Sequence, residues 1–185
     1  MRIAIPNARL AFPDIWAPRV PDEGGGKAKY GGLFIISPSA PVVAELRNAF
    51  AAVAKEKWGT KADVILKAII GQDKTCLHEG NVTKSQYNGF QDMLYVSART
   101  EQRPTIVDRN RTPLTQADGK PYSGCYVTAL VELYAQDNKY GKRINAQLRG
   151  LQFSADGDAF AAGTPAAEDE FADLGDQGAD TDPLA

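Results

Sequence analysis

The sequence is poor in the residues on which most catalytic and metal sites depend. Its 185 residues include one histidine, two cysteines and two methionines. Cys76 and Cys125 are too few for a disulfide framework, so we expect both to be reduced thiols. Together with His78 they offer three scattered donors, whereas structural zinc uses four at paired spacing. We therefore expect no metal and no cofactor.

Catalytic motifs and long apolar runs are also missing. The chain has no Gly-x-Ser-x-Gly elbow, no phosphate-binding glycine loop followed by Lys-Ser/Thr, and no dinucleotide fingerprint. No stretch approaches the roughly eighteen apolar residues of a membrane span. Pro6, Asn7 and Arg9 interrupt the amino-terminal region before a signal peptide could form. These absences predict a soluble, intracellular protein that is not an enzyme and does not contact membranes.

Basic residues are absent from the carboxyl-terminal end. The chain has 21 Lys and Arg and 23 Asp and Glu, and nine of the acids but none of the bases follow Phe153. Residues 1–153 therefore hold 21 bases against 14 acids. A basic body with an acidic end is typical of a polyanion-binding domain with an interaction tail. A solubilising tail on a mildly basic protein is the alternative.

Most of the patterned segments are typical of strands. "RIAIPNARLAF" predicts a first strand with Pro6 at an edge or a bulge. A long loop is predicted from Phe12 to Gly32, overlapping a strand in "KYGGLFIIS". "DMLYVSART" and "PTIVD" predict two more strands after an irregular stretch, 72–91. Between "KYGGLFIIS" and this irregular stretch, helical spacing predicts one helix from Pro41 to Gly59 and a short second helix ending at Gly71.

The clearest pattern is a hairpin near the end of the body. In "YSGCYVTALVELYAQ" the odd positions from Cys125 to Leu133 are small or apolar, which predicts a strand with one buried face. "KRINAQLRGLQF" alternates in the same way and follows a short polar turn, so the two form a hairpin. The fold class is therefore mainly β: an OB-fold-like five-stranded antiparallel barrel with an inserted α-helical segment.

The division of the chain follows from where this alternation ends. Residues 1–153 are predicted to form the barrel domain, and residues 154–185 an acidic tail. The tail is rich in Ala, Gly and Asp and has too few apolar residues to offset its ordering entropy. We expect disorder from about Ala155.

Basic and aromatic residues interleave in two places. Single-strand binders combine cations that track phosphates with rings on which bases stack. One group surrounds the glycine loop and the other lies on the polar face of the hairpin. The candidate DNA-binding residues are Lys27, Lys29, Tyr30, Tyr122, Tyr126, Arg143 and Arg149. For each tyrosine, a half-buried structural role is the alternative.

A family resemblance covers residues 2–160. "ARLAFPDIWAPRV", "KYGGLFIIS", "MLYVSAR", "PTIVD", "YSGCYVTALVELYAQDNKYGKRINAQLRGLQF" and "DGDAF", in this order, resemble phage-encoded single-stranded DNA-binding proteins with an OB fold. The resemblance implies a non-catalytic protein that coats single strands during phage DNA replication and recombination, in the cytoplasm of an infected bacterial host. It also implies that Tyr30 and the hairpin lie along the DNA.

The acidic tail then has a predicted role. Tethered to a basic body, it competes with DNA for the binding face and, once displaced, recruits replication partners, with a phage DNA polymerase as one candidate. The sequence ends in "DTDPLA" and so lacks the proline-aromatic tip of bacterial single-strand-binding proteins. The tail residues assigned to this role are Glu168, Asp169, Glu170, Phe171, Asp173, Asp176, Asp180 and Asp182.

Two other functions stay open at this point. One is a module that binds another polyanion, duplex DNA or RNA. The other is a phage structural or accessory protein without DNA affinity. The sequence also leaves open whether the protein is a monomer or a homodimer.

Overall fold

The computed structural model of the chain describes residues 1–20 and 26–160. Within these ranges it contains seven strands and three α-helices. In chain order the elements are β1 (Arg2–Arg19), β2 (Lys29–Ile36), α1 (Pro41–Trp58), α2 (Ala62–Gly71), β3 (Leu77–Glu79), α3 (Gly80–Thr83), β4 (Leu94–Thr100), β5 (Thr105–Val107), β6 (Tyr126–Asn138) and β7 (Gly141–Ala155).

Five of the strands close into a barrel. The sheet order is β3-β4-β2-β1-β6-β7-β5, and an additional pairing of β4 with β7 closes it. The closing pair is parallel, with Ala98 opposite Ala146, whereas the other four junctions of the barrel are antiparallel. The predicted mainly β, OB-fold-like barrel with a helical insertion is confirmed, with one parallel junction in place of a fully antiparallel barrel.

The first strand is shared between two neighbours. Its beginning pairs with β6 and its later part with β2, and the register shifts between Ile5 and Ala8. Pro6 lies within this shift, where its missing N–H leaves no gap in a regular ladder. Asn7 adopts a φ of 52° at the same point. The predicted bulge at Pro6 is confirmed.

The predicted long loop after Phe12 is wrong over most of its length. The strand continues to Arg19, and β2 begins at Lys29. The prolines that suggested a loop, Pro13 and Pro18, fall within register shifts of the β1–β2 ladder, where no regular backbone donor is needed. Irregular pairing thus accommodates both residues in one long strand.

The helical insertion covers one side of the barrel. α1 begins with Pro41 and ends before Gly59, whose φ of 54° terminates it. Its buried face, including Leu46, Phe50 and Val53, packs against the main core, and α1 contacts α2 and β6. Both predicted helices are confirmed. In the described part of the chain, no helix combines the length and apolar character needed to cross a bilayer.

The hairpin of β6 and β7 supplies one wall of the core. From Cys125 to Leu133 the odd-numbered side chains are 0–1% exposed, and Ile144 and Leu148 of β7 are also buried. The predicted inward face is therefore confirmed. Each fully buried Val, Leu or Ile contributes about 1.5–3 kcal/mol to folding. Cys76 and Cys125 are free and buried, and burial raises the pKa of the Cys76 thiol to about 12.

The packed chain extends further than residue 153. β7 runs to Ala155, and residues 156–160 lie against the body, with the Phe160 N–H donating to the Ser123 carbonyl at 3.1 Å. The expected onset of disorder near Ala155 is therefore too early, because this stretch finds backbone partners. Residues 161–185, called the acidic tail from here on, include the eight acidic and aromatic residues assigned above and lie outside the described residues.

Candidate nucleic-acid interface

A second apolar cluster lies outside the barrel, on the outer face of β1, β2 and β4. It comprises Ala11, Ile35, Phe90 and Tyr95 and is named here the outer cluster. Ile35 and Tyr95 are register partners on neighbouring strands. Phe90 comes from the segment before β4 and is 1% exposed. This outer face of the sheet is therefore partly covered by packed side chains and is not simply exposed to solvent.

A cleft of about 560 Å³ lies beside the outer cluster. Four of its lining residues are aromatic rings and four are cations, against one carboxylate. The strands β2 and β4 form its floor, which is the face that OB folds use for oligonucleotides. The aromatic, cationic and acidic residues of the cleft are Phe12, Tyr30, Tyr87, Tyr95, Arg19, Lys29, Lys84, Arg99 and Asp14.

Phe12 presents an exposed ring at the cleft. It sits at the β1 bulge with a φ of 47°, a conformation that costs a bulky residue energy. Its ring is 44% exposed and packs edge-on against Tyr87, with 4.9 Å between ring centroids. Tyr87 is itself 39% exposed. Two partly exposed rings in contact form a surface on which a base can stack.

Lys84 places a positive charge over both rings. Its Nζ lies 5.7 Å from the Phe12 centroid and 5.4 Å from the Tyr87 centroid. A backbone hydrogen bond from the Tyr87 N–H to the Lys84 carbonyl, 3.0 Å, fixes the turn that carries both side chains. The arrangement therefore combines two partly exposed rings with a cation close enough to interact with both of them.

Tyr95 forms the rigid floor of the cleft. Its ring stacks on His78 with centroids 5.0 Å apart, and its hydroxyl lies 2.7 Å from the Thr83 Oγ1. Burial raises the pKa of Tyr95 above its ordinary value. His78 Nδ1 lies 2.8 Å from Asp73 Oδ1, and the His78 side chain is only 17% exposed. Tyr95 and Asp73 thus enclose the His78 ring.

The three candidates around the predicted glycine loop, Lys27, Lys29 and Tyr30, do not all lie in the cleft. Lys29 and Tyr30 line the cleft. Lys27 does not line it; its Nζ lies 3.3 Å from the Glu101 carboxylate, and both side chains are exposed. In solvent such a pair is weak. Two of these three predicted residues therefore line the cleft.

The structure does not bring together the four candidates assigned to the hairpin, which are Tyr122, Tyr126, Arg143 and Arg149. Tyr126 pairs with Ala155 and Arg143 with Gln136, so the two candidates stand at opposite ends of the hairpin. At 3.3 Å per residue, ten residues separate them by about 33 Å. None of the hairpin candidates lines the cleft. They therefore do not form one site with it, and their DNA contacts stay a prediction.

Two of the hairpin candidates already have partners. The Arg149 Nε donates to the Glu132 carboxylate at 2.7 Å. Tyr122 precedes β6 instead of lying on its polar face, and its hydroxyl donates to Asp156 Oδ1 at 3.0 Å. The expected position of Tyr122 on the strand is wrong, because the backbone turns before Tyr126.

Sequence reasoning missed Phe12, Lys84, Tyr87 and Arg99. A signal for two of them was present: Lys84-x-x-Tyr87 repeats the Lys27-x-x-Tyr30 spacing, but it fell in a stretch interpreted as irregular. Within residues 1–20 and 26–160, no three His, Cys, Asp or Glu side chains form a group that could hold a metal ion.

The chain is similar to several phage proteins. A family model described as "Enterobacter phage Enc34, ssDNA-binding protein" matches residues 1–183. "Putative protein p50" of Acyrthosiphon pisum secondary endosymbiont phage 1 is 43% identical over 177 residues, covering 94% of this chain and 94% of that protein.

Solved structures agree with this assignment. The single-stranded DNA-binding protein of bacteriophage Enc34, in complex with ssDNA, is 26% identical with a TM-score of 0.73, covering 86% of this chain and 89% of that one. The single-stranded DNA-binding protein gp2.5 of bacteriophage T7 has a TM-score of 0.55 at 11% identity, covering 90% and 98%, and supports the fold alone. The resemblance found in the sequence is confirmed: the chain belongs to the family of the Enterobacter phage Enc34 ssDNA-binding protein.

Proposed function

We propose that this protein binds single-stranded DNA without sequence specificity, in the cleft over β2 and β4. The observation that carries the proposal is the contact of two partly exposed rings, Phe12 and Tyr87, beneath the Lys84 ammonium group. Bases of any identity can stack on such rings, while nearby cations bind phosphates. The related Enc34 protein was solved with ssDNA bound, which supports the same ligand here.

In this proposal the DNA backbone runs along the cations that line the cleft. Lys29 and Arg99 lie on β2 and β4, and Lys84 lies on the segment that precedes β4. Tyr30 lines the same cleft and offers a further ring. The hairpin residues Tyr126, Arg143 and Arg149 belong to a second, separate candidate surface. Variants in the two places therefore distinguish the paths.

The biological role follows from stoichiometric coverage of DNA and not from catalysis. The family is one of DNA-binding proteins, not of enzymes. We propose that the protein coats and protects strands exposed during phage DNA replication and recombination, in the cytoplasm of the infected host. Stacking and phosphate contacts without base-edge readout suit this task, because the strands to be covered have every sequence.

The acidic tail is proposed to compete with DNA for the cleft. Residues 161–185 carry seven acids and no base. A flexible chain of 25 residues spans about 25–30 Å root-mean-square, comparable with the dimensions of the body. Tethering then gives the tail an effective concentration on the order of millimolar. DNA, with more charge and with stackable bases, displaces it.

The displaced tail is proposed to recruit replication proteins. Its acids from Glu168 to Asp182 surround Phe171, a combination of charge and one apolar anchor that a basic groove on a partner can recognise. A phage DNA polymerase is one candidate partner. Pull-down with the tail fused to a carrier, compared with a Phe171→Ala tail, tests this step; equal recovery of partner by both would contradict an anchor role for Phe171.

One experiment tests the binding function. Intrinsic fluorescence is titrated with oligo-dT and with duplex DNA of equal length, at two salt concentrations. We expect quenching and preferential binding of the single strand, because only unpaired bases reach the rings of the cleft. Equal, weak binding of both ligands would instead indicate a general polyanion module, and no binding of either would favour an accessory protein.

A further inference from the structure

Residues 156–160 form a packed segment, named here the C-terminal strap. The Tyr122 hydroxyl accepts the Gly157 N–H at 3.1 Å and lies 3.0 Å from Asp156 Oδ1. The Arg9 Nη2 donates to the Asp158 carbonyl at 2.7 Å. The last strap residue, Phe160, is tied to the body by its own backbone N–H. Backbone contacts thus hold the strap along its length.

Three glycines, two in the body and one in the strap, shape the contact between them. A Cβ at Gly124, which has a φ of 105°, would lie 2.2 Å from the Asp158 carbonyl oxygen. One at Gly157 would lie 2.4 Å from the Gly124 oxygen, and one at Gly89 would lie 2.6 Å from Phe160 Cε1. No side chain fits at these points without displacing the strap. The body and the strap are therefore shaped to each other.

Phe160 packs on the outer cluster, beside Gly89. The Arg9 guanidinium lies over the Phe160 ring, with its central carbon 4.1 Å from the ring centroid, and its Nε donates to the Gly124 carbonyl at 3.2 Å. Phe160 is one of the partly buried side chains packed against Phe90 and its neighbours. Its ring therefore packs against the segment that precedes β4, at the point where that segment turns at Gly89.

The same segment carries the cleft residues. The Gln91 side chain accepts the Gly89 N–H and donates to the Tyr87 carbonyl, each at 3.0 Å. The Phe90 ring lies 6.5 Å from the Tyr87 ring and 6.2 Å from the Phe12 ring. We therefore expect a displacement of Gly89 or Phe90 to shift the stacking pair, Phe12 and Tyr87.

We propose that Phe160 is a positioning residue for DNA binding: the strap braces the turn at Gly89 so that Tyr87 stays against Phe12 at the cleft. The DNA-binding unit then ends at Phe160 and not at Phe153. Phe160 does not line the cleft, so it acts through the stacking pair and not by touching DNA. This inference rests on the proposed single-strand binding in the cleft.

A double-mutant cycle on the full-length protein tests the proposal. Phe160→Ala is expected to weaken oligo-dT binding about three- to tenfold, a part of what one stacked base contributes. In a Tyr87→Ala background the same change is expected to cost less than about twofold, because the residue being positioned is gone. The salt dependence of binding stays unchanged, since no phosphate contact is lost. Phe160→Leu, which keeps an apolar filler, restores most of the affinity.

Matched variants separate positioning from general stability. Val53→Ala removes two buried methyl groups from α1 in the main core, a different cluster from the one on which Phe160 packs, and is expected to lower the melting temperature without changing oligo-dT binding. Should Phe160→Ala fail to fold, Arg9→Met tests the same brace by removing its hydrogen bonds while leaving Phe160 in place, with the same expected pattern.

Three results would overturn the proposal. They are unchanged affinity in Phe160→Ala, equal losses in the wild-type and Tyr87→Ala backgrounds, and an equal loss in Val53→Ala. Failure of the wild-type protein to prefer oligo-dT over duplex would instead contradict the proposed function itself, so the two failures are distinguishable.

Discussion

At the scale of single residues, Phe12 is the least expected feature of the molecule. Aromatic residues in a strand normally adopt negative φ, yet Phe12 holds a φ of 47° and keeps its ring 44% exposed. Backbone strain of this kind persists only where surrounding pairing imposes it, and it is concentrated at functional sites. The β1–β2 register shift between Ala11 and Asp14 imposes it here.

The stacking pair gives the first residue-level prediction. Phe12→Ala and Tyr87→Ala are each expected to weaken oligo-dT binding by about 1–3 kcal/mol, because each removes a ring on which a base stacks. Tyr126→Ala serves as the control on the hairpin, where the exposed tyrosine is 38% accessible. Fluorescence titration measures all three. A larger loss in Tyr126→Ala than in the cleft variants would move the DNA path to the hairpin.

The ion pair on the hairpin predicts a pH dependence of stability. The hydrogen bond from Arg149 holds the pKa of Glu132 below its ordinary value of 4.5. Because the folded-state pKa is depressed, the pair stabilises the fold above pH 4.5, and this contribution is lost as the pH falls through the folded pKa. Urea melts at pH 7 and at acidic pH are expected to show a smaller acid-induced loss in Glu132→Gln. An equal loss would mean that the pair contributes nothing measurable.

At the scale of elements, the segment between α3 and β4 matters more than its irregular backbone suggests. It has no regular secondary structure after Thr83, yet it places Lys84 and Tyr87 in the cleft and buries Phe90 in the outer cluster. Side-chain bonds of Gln91 and of Asn81 with Asp92 tie it down. An apolar anchor and local hydrogen bonds thus replace a strand or helix as the support for the site.

A pair of phenylalanine variants tests this role. Phe90→Ala and Phe50→Ala each remove a fully buried ring and are expected to destabilise the protein by about 3–5 kcal/mol. Phe90→Ala is also expected to weaken oligo-dT binding, because Lys84 and Tyr87 lose their anchor, whereas Phe50→Ala on α1 leaves the affinity of the folded fraction unchanged. Denaturant melts and titrations measure the two effects. Equal affinities in the two variants would show that Phe90 is only a core residue.

At the scale of the whole molecule, positive and negative charge are separated along the chain. Lys29, Lys84 and Arg99 line the cleft, and all bases precede residue 154 while nine acids follow it. If these three cations each neutralise one phosphate, the slope of log K against log salt is about −2 on a single strand. The proposed competition of the tail for the same cations would add a second salt-dependent contribution.

Removing the tail after Phe160 is expected to tighten oligo-dT binding, most strongly at low salt, because screening weakens the contact of the tail with the cleft. Titrations of the full-length and 1–160 proteins at two salt concentrations measure the gain. Unchanged affinity at both concentrations would contradict competition. A truncation at 155, which also removes the strap, is expected to bind more weakly than the 1–160 protein.

The sequence alone determined the features that depend on neighbours along the chain. Period-two alternation from Cys125 to Leu133 specified a strand and its buried face, and Pro41 and Gly59 marked the ends of α1. Charge counting specified a basic body and an acidic tail. The order of the motifs identified the family, because related chains keep the same sequence of local patterns even where the long-range contacts are not evident.

Only the tertiary structure decided where the candidate site lies. Phe12, Lys29 and Tyr87 are distant in the chain, and they line one cleft because β2 pairs with both β1 and β4 and the barrel closes through a parallel β4–β7 junction. No local pattern encodes that closure or the strap that returns to Arg9. Long-range pairing, set by the whole packed core, decides which of many basic and aromatic residues share one cleft.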